Sequence, residues 1–224
     1  NNTVLGKLYI KPHRADTYNY KGTIVSGSHL VFEDNHWIRV EDSKNAESSP
    51  EITDLHCLIT SDNTISINNI KFRDYEEIKD KDIKLAVNYK FAKFINDNLG
   101  YIKTPQDIEN CYYWGFSEDN IVIIDDKEVR LKDIIKNPEN YPDVLGVVEL
   151  ISDANMYDYK GCIVSGNTLV YETGLWIRVF QSDYAKKTDN VDKIYSIVTE
   201  DNIVRIKGNN FKEILFRDFI ESHE

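Results

Sequence analysis

Short apolar runs separated by turn-forming residues occupy most of the chain, and this pattern is typical of β-strands. Residues 23–25, 30–32 and 37–40 are rich in β-branched and aromatic side chains, which a pleated sheet accommodates well. Residues 26–28 and Asp34-Asn35 lie between these runs and favour turns. This part of the chain is therefore predicted to consist of short strands joined by tight turns.

A hairpin pattern follows the first strands. Residues 58–60 and 64–67 are mostly apolar or β-branched, and they flank Asp62-Asn63, a pair that suits a tight turn between paired strands. Residues 197–206 repeat this arrangement. Both halves of the chain thus favour a mainly β fold.

One segment has a helical period instead. Apolar residues recur at every fourth position from Ile83 to Leu99, and Gly100 follows where a helix C-cap belongs. We predict an amphipathic helix over residues 81–99. Thr104-Pro105 is typical of the start of a second, short helix. Because such apolar stripes usually face a core, we interpret the segment as a structural connector rather than a partner-binding helix.

The chain contains an internal duplication. Residues 18–40 and 157–179 align without a gap, and about 15 of the 23 positions are identical. The likeness continues downstream, where both copies reach a Phe-Arg-Asp element, at residues 72–74 and 216–218. We therefore predict two β units joined by a helical connector, with boundaries at residues 1–77, 78–111 and 112–224.

Several single residues recur with the duplication. Trp37 and Trp176 occupy equivalent positions, and large aromatic side chains of this kind commonly anchor cores. Asp74 and Asp218 each follow an arginine, which we interpret as an Arg-Asp pair that closes the sheet rather than as an active-site acid. Cys162 replaces a threonine of the first copy, which suits a sheet or core position.

Composition and charge exclude several classes of partner. The net charge is −11 and the sequence pI about 5.0, without the basic stripe that binding to phosphates requires, so nucleic acid is not expected as a partner. No apolar run approaches the roughly 18 residues of a membrane span. We expect a soluble protein, virion-associated or cytoplasmic. The chain begins at Asn1 without a methionine, as a fragment or a processed product would.

The cysteines and histidines do not suggest a metal or another cofactor. Cys57, Cys111 and Cys162 form no Cys-x-x-Cys pair, and the five histidines have no metal-ligand spacing. We therefore predict no metal site and no cofactor. An odd number of cysteines also argues against a disulfide framework.

The residues around the first turn suggest a family. The segment Ser26-Gly27-Ser28-His29, followed by a strand that contains Trp37, resembles the central block of Hint domains, the hedgehog and intein autoprocessing family. Residues 56–60 resemble a later block of that family, with Cys57 at a position that usually holds Asp or Cys. The likeness covers most of the chain apart from residues 78–111, and it is greatest to Hint-containing proteins of large DNA viruses.

This resemblance implies roles for three residues of the first copy. His29 would be a general acid that protonates a leaving amide nitrogen, Ser26 a hydroxyl that orients the scissile peptide, and Cys57 a further catalytic group. Each residue also has a simpler explanation. His29 suits a histidine held by a backbone carbonyl, Ser26 a turn serine, and Cys57 a small buried apolar residue.

The resemblance also implies that important groups are missing. The family begins its opening block with Cys or Ser, which attacks the preceding carbonyl; the matching position of the second copy is Gly115, and Thr168 replaces the histidine. The opening block of the first copy would lie before Asn1. Neither copy ends in His-Asn, so protein splicing is not expected.

Two functions from different classes remain open from the sequence. One is a degenerate Hint-type module that binds a protein partner or forms part of an assembly such as a virus particle. The other is an autoprocessing domain, in which the first unit cleaves a precursor by an acyl shift assisted by Ser26 and His29.

Overall fold

The computed structural model describes residues 2–11, 16–49, 54–75 and 114–219. The chain forms two compact units, Asn1–Lys79 and Asp80–Glu224, and the predicted mainly β fold is confirmed. The predicted helices at residues 81–99 and from Thr104 lie outside the described residues. Across the described ranges, no helix is long and apolar enough to cross a membrane.

The first unit is built from short antiparallel strands. They are β1 (Val4–Ile10), β2 (Thr17–Tyr20), β3 (Thr23–Ser26), β4 (Leu30–Glu33), β5 (His36–Arg39), β6 (Ala46–Ser49), β7 (Leu55–Thr60), β8 (Thr64–Ile67) and β9 (Ile70–Arg73), with a 3-10 helix at Val40–Asp42. β1 pairs with β7, β2 lies between β3 and β6, and the remaining strands follow the order β5-β4-β9-β8. Asp34 and Asn35 form the predicted turn with positive φ at both positions, as tight two-residue hairpin turns require.

The second unit repeats this architecture and adds elements before it. The additional elements are β10 (Ile121–Ile124), β11 (Lys127–Arg130), α1 (Leu131–Lys136) and a 3-10 helix at Pro138–Asn140. The repeated strands are β12 (Val144–Ile151), β13 (Met156–Tyr159), β14 (Cys162–Ser165), β15 (Leu169–Glu172), β16 (Leu175–Arg178), β17 (Ala185–Lys187), β18 (Lys193–Thr199), β19 (Ile203–Lys207) and β20 (Glu213–Arg217), with 3-10 helices at Val179–Gln181 and Asn209–Phe211. β12 pairs with β18, β13 lies between β14 and β17, and the large sheet has the order β11-β10-β19-β20-β15-β16.

The two units share details that the sequence identity alone does not specify. The β1–β7 ladder has a bulge between Val4 and Gly6, and the β12–β18 ladder has the same bulge between Val144 and Gly146. The Tyr20 hydroxyl donates to Glu33 over 2.8 Å, and its counterpart Tyr159 donates to Glu172 over 2.6 Å. The duplication is therefore present in the three-dimensional structure as well as in the sequence.

Tyrosine and phenylalanine, rather than the two repeated tryptophans, provide the large core side chains that the two units share. Tyr20 and Phe72 pack edge-to-face in the first unit, and Tyr159 and Phe216 do so in the second. The expectation that Trp37 and its counterpart Trp176 anchor the cores is wrong, because both are only partly buried. Each strand alternates its side chains between two faces, and the tryptophans lie on the face opposite the core.

An arginine covers each tryptophan. The Arg73 guanidinium lies 4.3 Å from the centre of the Trp37 ring, and Arg217 lies 4.4 Å from that of Trp176. The aspartate that follows each arginine accepts hydrogen bonds from a threonine. The interpretation of Arg and Asp as one closing pair stays a prediction.

Candidate functional site

The three predicted site residues of the first unit line one groove. Ser26 ends β3, His29 follows in the turn, and Cys57 lies on β7. Together they line a groove of about 700 Å³, whose floor includes Phe72 of β9. The structure thus brings together Ser26 and Cys57, which are 31 positions apart in the sequence.

His29 is oriented by the backbone. Its amide donates to the Ser26 carbonyl over 3.1 Å, which closes the turn, and its ring Nε2 lies 2.7 Å from the Arg73 carbonyl oxygen. Because a carbonyl only accepts, Nε2 is the donor, and in the neutral ring Nδ1 holds the lone pair. The ring also packs against Phe72, with centroids 6.1 Å apart. This is the carbonyl-bound histidine that the sequence left open beside the catalytic role.

The environment of Cys57 disfavours its thiolate form. Burial raises the pKa of its thiol to about 12, and the nearby Asp74 carboxylate adds to the rise. Its Sγ donates to the Leu58 carbonyl over 3.6 Å. Since the thiolate is the attacking species, the geometry favours the small apolar role for this residue.

Asp74, at the rim of the same groove, is a structural acid. Its Oδ2 accepts hydrogen bonds from the Thr60 amide over 2.6 Å and from the Thr60 hydroxyl over 3.0 Å. The equivalent carboxylate of Asp218 accepts from the Thr199 amide over 3.0 Å. Both aspartates are fully buried and tie the strand that carries them to the β7–β8 or β18–β19 turn.

In the second unit the same place is filled by the chain itself. Trp114, Phe116 and Val122 are buried, and the Phe116 ring lies edge-to-face on Phe216 at 5.1 Å. Phe216 is the counterpart of Phe72, which is in the floor of the open groove. The segment 114–122 therefore lies where the first unit has its groove.

Backbone hydrogen bonds hold this segment between β14 and β18. The amide of Phe116 donates to the Tyr195 carbonyl over 2.7 Å, and the Tyr195 amide donates back over 2.9 Å. On the other side, the Ser117 amide donates to the Ile163 carbonyl over 3.0 Å. The segment thus bridges two strands that otherwise present unpaired backbone groups to each other.

The serine and threonine equivalent to Ser26 and His29 hold Gly115. The Ser165 hydroxyl accepts from the Gly115 amide over 3.0 Å, and the Ser165 amide donates to the Gly115 carbonyl over 2.9 Å. The hydroxyls of Ser165 and Thr168 lie 2.9 Å apart. The Ser-x-x-Thr turn therefore holds both backbone groups of one residue, Gly115, at the position that the family resemblance gives to the opening residue.

Gly115 is also required by space. A Cβ at this position would lie 2.7 Å from the Tyr195 carbonyl oxygen, closer than side-chain carbons approach backbone oxygens. An attacking side chain at position 115 would force the backbone of β18 or of the segment to shift. The backbone around position 115 therefore accommodates glycine and no larger residue.

Equivalent side chains of the two units differ in their exposure to solvent. Ser165 and Thr168 are fully buried, whereas Ser26 and His29 are half-exposed. Ile206 of β19 is 0 % exposed and pairs with Val122 of β10, whereas its counterpart Ile67 of β8 is 42 % exposed. Sequence reasoning missed Ile67 and Phe72 as parts of the site, although the missing opening block of the first unit was a signal for them.

Outside this groove, the described residues contain no group of three or more His, Cys, Asp or Glu side chains that could hold a metal ion. Comparison of the chain with protein-family models, with curated proteins and with solved structures finds no match. The candidate site therefore rests on its own geometry and on the comparison of the two units.

Proposed function

We propose that this chain is a non-catalytic protein-binding module made of two degenerate Hint-like units. The second unit is closed by its own segment, and the first offers the equivalent groove to a protein partner. The observation that carries the proposal is the open groove beside Ser26 and His29, set against the filled one beside Ser165 and Thr168.

The contact at Gly115 supports the Hint-like part of the proposal. Family members hold their scissile peptide with a hydroxyl and a histidine spaced three residues apart, and here Ser165 holds the amide of Gly115. The same turn recurs in the first unit as Ser26 and His29, where the His29 amide closes it on the Ser26 carbonyl. The turn thus retains the means of gripping a peptide.

The chemistry of the second unit supports the absence of catalysis. Gly115 has no side chain to attack a carbonyl, and a hydroxyl such as that of Thr168 does not exchange protons usefully near pH 7. In the first unit, the Cys57 pKa near 12 leaves the thiol protonated. The second unit thus holds a peptide without an acid or a nucleophile, which amounts to binding.

A second candidate function rests on His29. Its ring lines the groove with Ser26, and its Nδ1 lone pair could take part in proton transfer to a peptide bound there. Under this alternative, the first unit would cleave a precursor through an N–S or N–O acyl shift, with the attacking group supplied by the precursor.

Intact mass of the full-length gene product, incubated with and without dithiothreitol, separates the two functions. We expect one unchanged mass under both conditions, because binding leaves the covalent chain intact. A thiol-induced fragment that disappears in His29→Ala would favour autoprocessing. His36→Ala is the matched control, since His36 is exposed on β5 and is not part of the groove.

A further inference from the structure

We infer that the groove of the first unit binds an extended segment of a partner protein whose sequence contains Gly-aromatic, an Asn four residues after the aromatic, and then an apolar strand. This inference rests on the proposed function and specifies the partner. Its template is the chain's own residues 115–122, which fill the equivalent place in the second unit.

The backbone edges of the groove match those that hold the template. Ile24 pairs with Asn19 as Ile163 pairs with Asp158, and His56 pairs with Tyr9 as Tyr195 pairs with Glu149. Since the register is the same, the N–H and C=O groups of Ile24 and His56 point into the groove. Within the part of the chain that the structure describes, no backbone group pairs with them. A bound strand would satisfy them by β-augmentation.

An aromatic side chain fits the floor of the groove. Phe116 contacts Phe216 in the second unit, and Phe216 contacts Tyr159 with centroids 6.1 Å apart. In the first unit Phe72 has the same contact with Tyr20, at 6.2 Å, and it also lines the open groove. Phe72 itself is 1 % exposed, with the His29 ring 6.1 Å from its own, so an aromatic residue of the partner would pack in the groove beside these two rings.

The next two contacts of the template explain why the inferred partner motif contains an asparagine and an apolar strand. The Asn120 amide nitrogen donates to the Ile163 carbonyl over 2.8 Å, and its carbonyl accepts from the Ile163 amide over 3.1 Å. An asparagine can do the same with Ile24. Two residues later, Val122 pairs with Ile206 at the edge of β19, which indicates that the partner's strand would cover Ile67 on β8.

The glycine of the motif is required where the bound strand comes closest to the backbone of the groove. The Tyr195 carbonyl leaves no room for a Cβ at position 115, and the His56 carbonyl holds the equivalent place in the first unit. Ser26 would accept from the glycine amide as Ser165 does from Gly115. A larger residue at this point of the partner would push the strand out of register.

A separate polypeptide fits the groove better than a second copy of this chain. The template segment of any copy is already seated in its own second unit, where Phe116 and Val122 are 1 % exposed. To reach another molecule, the segment would have to leave that core and break its backbone bonds to β14 and β18. A segment without a groove of its own avoids this cost.

Binding can be measured with a synthetic peptide. A fluorescein-labelled peptide with the sequence of residues 113–126 is titrated with the full chain, and its anisotropy is recorded. We expect saturable binding that Ile67→Lys weakens by about tenfold or more, because the lysine places a charge at the strand edge. Ile151→Lys is the matched control: Ile151 is 51 % exposed on a strand outside the groove, so binding should be unchanged.

Changes in the peptide test the register. Replacing the phenylalanine by alanine, or the glycine by leucine, should each weaken binding by about tenfold or more, whereas replacing the serine after the phenylalanine by alanine should not. Circular dichroism of each protein variant verifies that it is folded. Equal affinity for all the peptides would overturn the inferred motif.

Cross-linking identifies which unit binds the peptide. A photoreactive phenylalanine in place of the peptide's own should label residues of the first unit near Phe72, and labelling of the second unit alone would overturn the inference. Absence of binding would also overturn it while leaving the non-catalytic proposal intact. The peptide mass is measured in the same samples, and cleavage of the peptide that is lost in His29→Ala would instead contradict the proposed function.

Discussion

At the residue scale, pairs of equivalent residues show how one position changes the use of a site. His29 and Thr168 occupy the same turn, yet His29 binds the Arg73 carbonyl beside an open groove, whereas Thr168 contacts Ser165 above a buried glycine. Cys57 and its counterpart Ser196 differ similarly in exposure. The identity of a residue is thus less informative here than what covers it.

Gly115→Ala tests the close contact with β18. The new Cβ would meet the Tyr195 carbonyl at 2.7 Å, and we expect the free energy of unfolding of the second unit to fall by roughly 1–3 kcal/mol, as overpacking generally costs. Urea unfolding followed by circular dichroism measures the change. Ser117→Ala is the neighbouring control and should change stability by less than about 0.5 kcal/mol, because Ser117 binds through its backbone. Equal effects of the two substitutions would contradict the steric argument.

Alkylation tests the state of the cysteines. Burial raises the pKa of both Cys57 and Cys162 to about 12, so at pH 8 each thiolate is on the order of a hundredfold or more scarcer than in an exposed cysteine. We expect both residues to react with iodoacetamide correspondingly slowly, and the rates to increase steadily up to about pH 12. Mass spectrometry of digested samples reads each site separately. Rapid labelling of Cys57 at pH 7 would return it to the list of candidate nucleophiles.

At the element scale, the segment before β10 is the component that distinguishes the units. It supplies Phe116 to the core, a bridge between β14 and β18, and a further strand on β19. In the first unit, the described residues place no strand on the outer side of β8, and the apolar side chain of Ile67 remains exposed there. An open edge of this kind is a liability unless something covers it.

Phe116→Ala tests the contribution of this segment to the second unit. The ring is buried against Phe216, and we expect a loss of roughly 3–5 kcal/mol in unfolding free energy, as for other core phenylalanines. Trp176→Ala is the comparison, because its larger ring lies half-exposed beneath Arg217 and should cost less. Thermal and urea unfolding measure both. A larger loss for Trp176 would restore the expectation that the tryptophans anchor the cores.

At the scale of the whole molecule, the same arrangement of strands occurs twice, and the described residues add a bridging segment to the second copy. Both units have the same strand order, the same bulge and the same buried tyrosine–glutamate bond. Residues 115–117 bridge the gap between β14 and β18 in the second unit, whereas no described residue bridges the gap between β3 and β7 in the first. Under the proposed function, the second unit would stabilise itself and the first would bind the partner.

Hydrogen exchange tests whether the backbone groups facing the groove of the first unit lack the hydrogen bonds found in the second unit. The amides of Ser165 and Tyr195 donate to residues 115 and 116, whereas those of Ser26 and His56 face the groove. We expect the first pair to exchange at least about tenfold more slowly than the second, because exchange requires the protecting bond to open. Two-dimensional NMR in deuterated buffer resolves the four amides. Similar protection of all four would indicate that another segment already fills the groove of the first unit.

The sequence by itself determined the duplication, the strands and the tight turns, because the alternation of apolar residues and the positions of Asn, Asp and Gly act over a few residues. It also placed Ser26 and His29 on one turn, since they are three positions apart. The resemblance to Hint domains and the functions drawn from it remain a proposal. These local features required no knowledge of distant contacts.

Only the tertiary structure decided what the elements cover. The partial exposure of Trp37 and Trp176, the gathering of Cys57 and Phe72 beside His29, and the clamp on Gly115 depend on strands far apart in sequence. The period of a strand indicates that one of its faces is buried, but the strands packed beside it determine which one. Equivalent residues therefore became a filled core in one unit and an open groove in the other, because a single preceding segment is present in only one of them among the described residues.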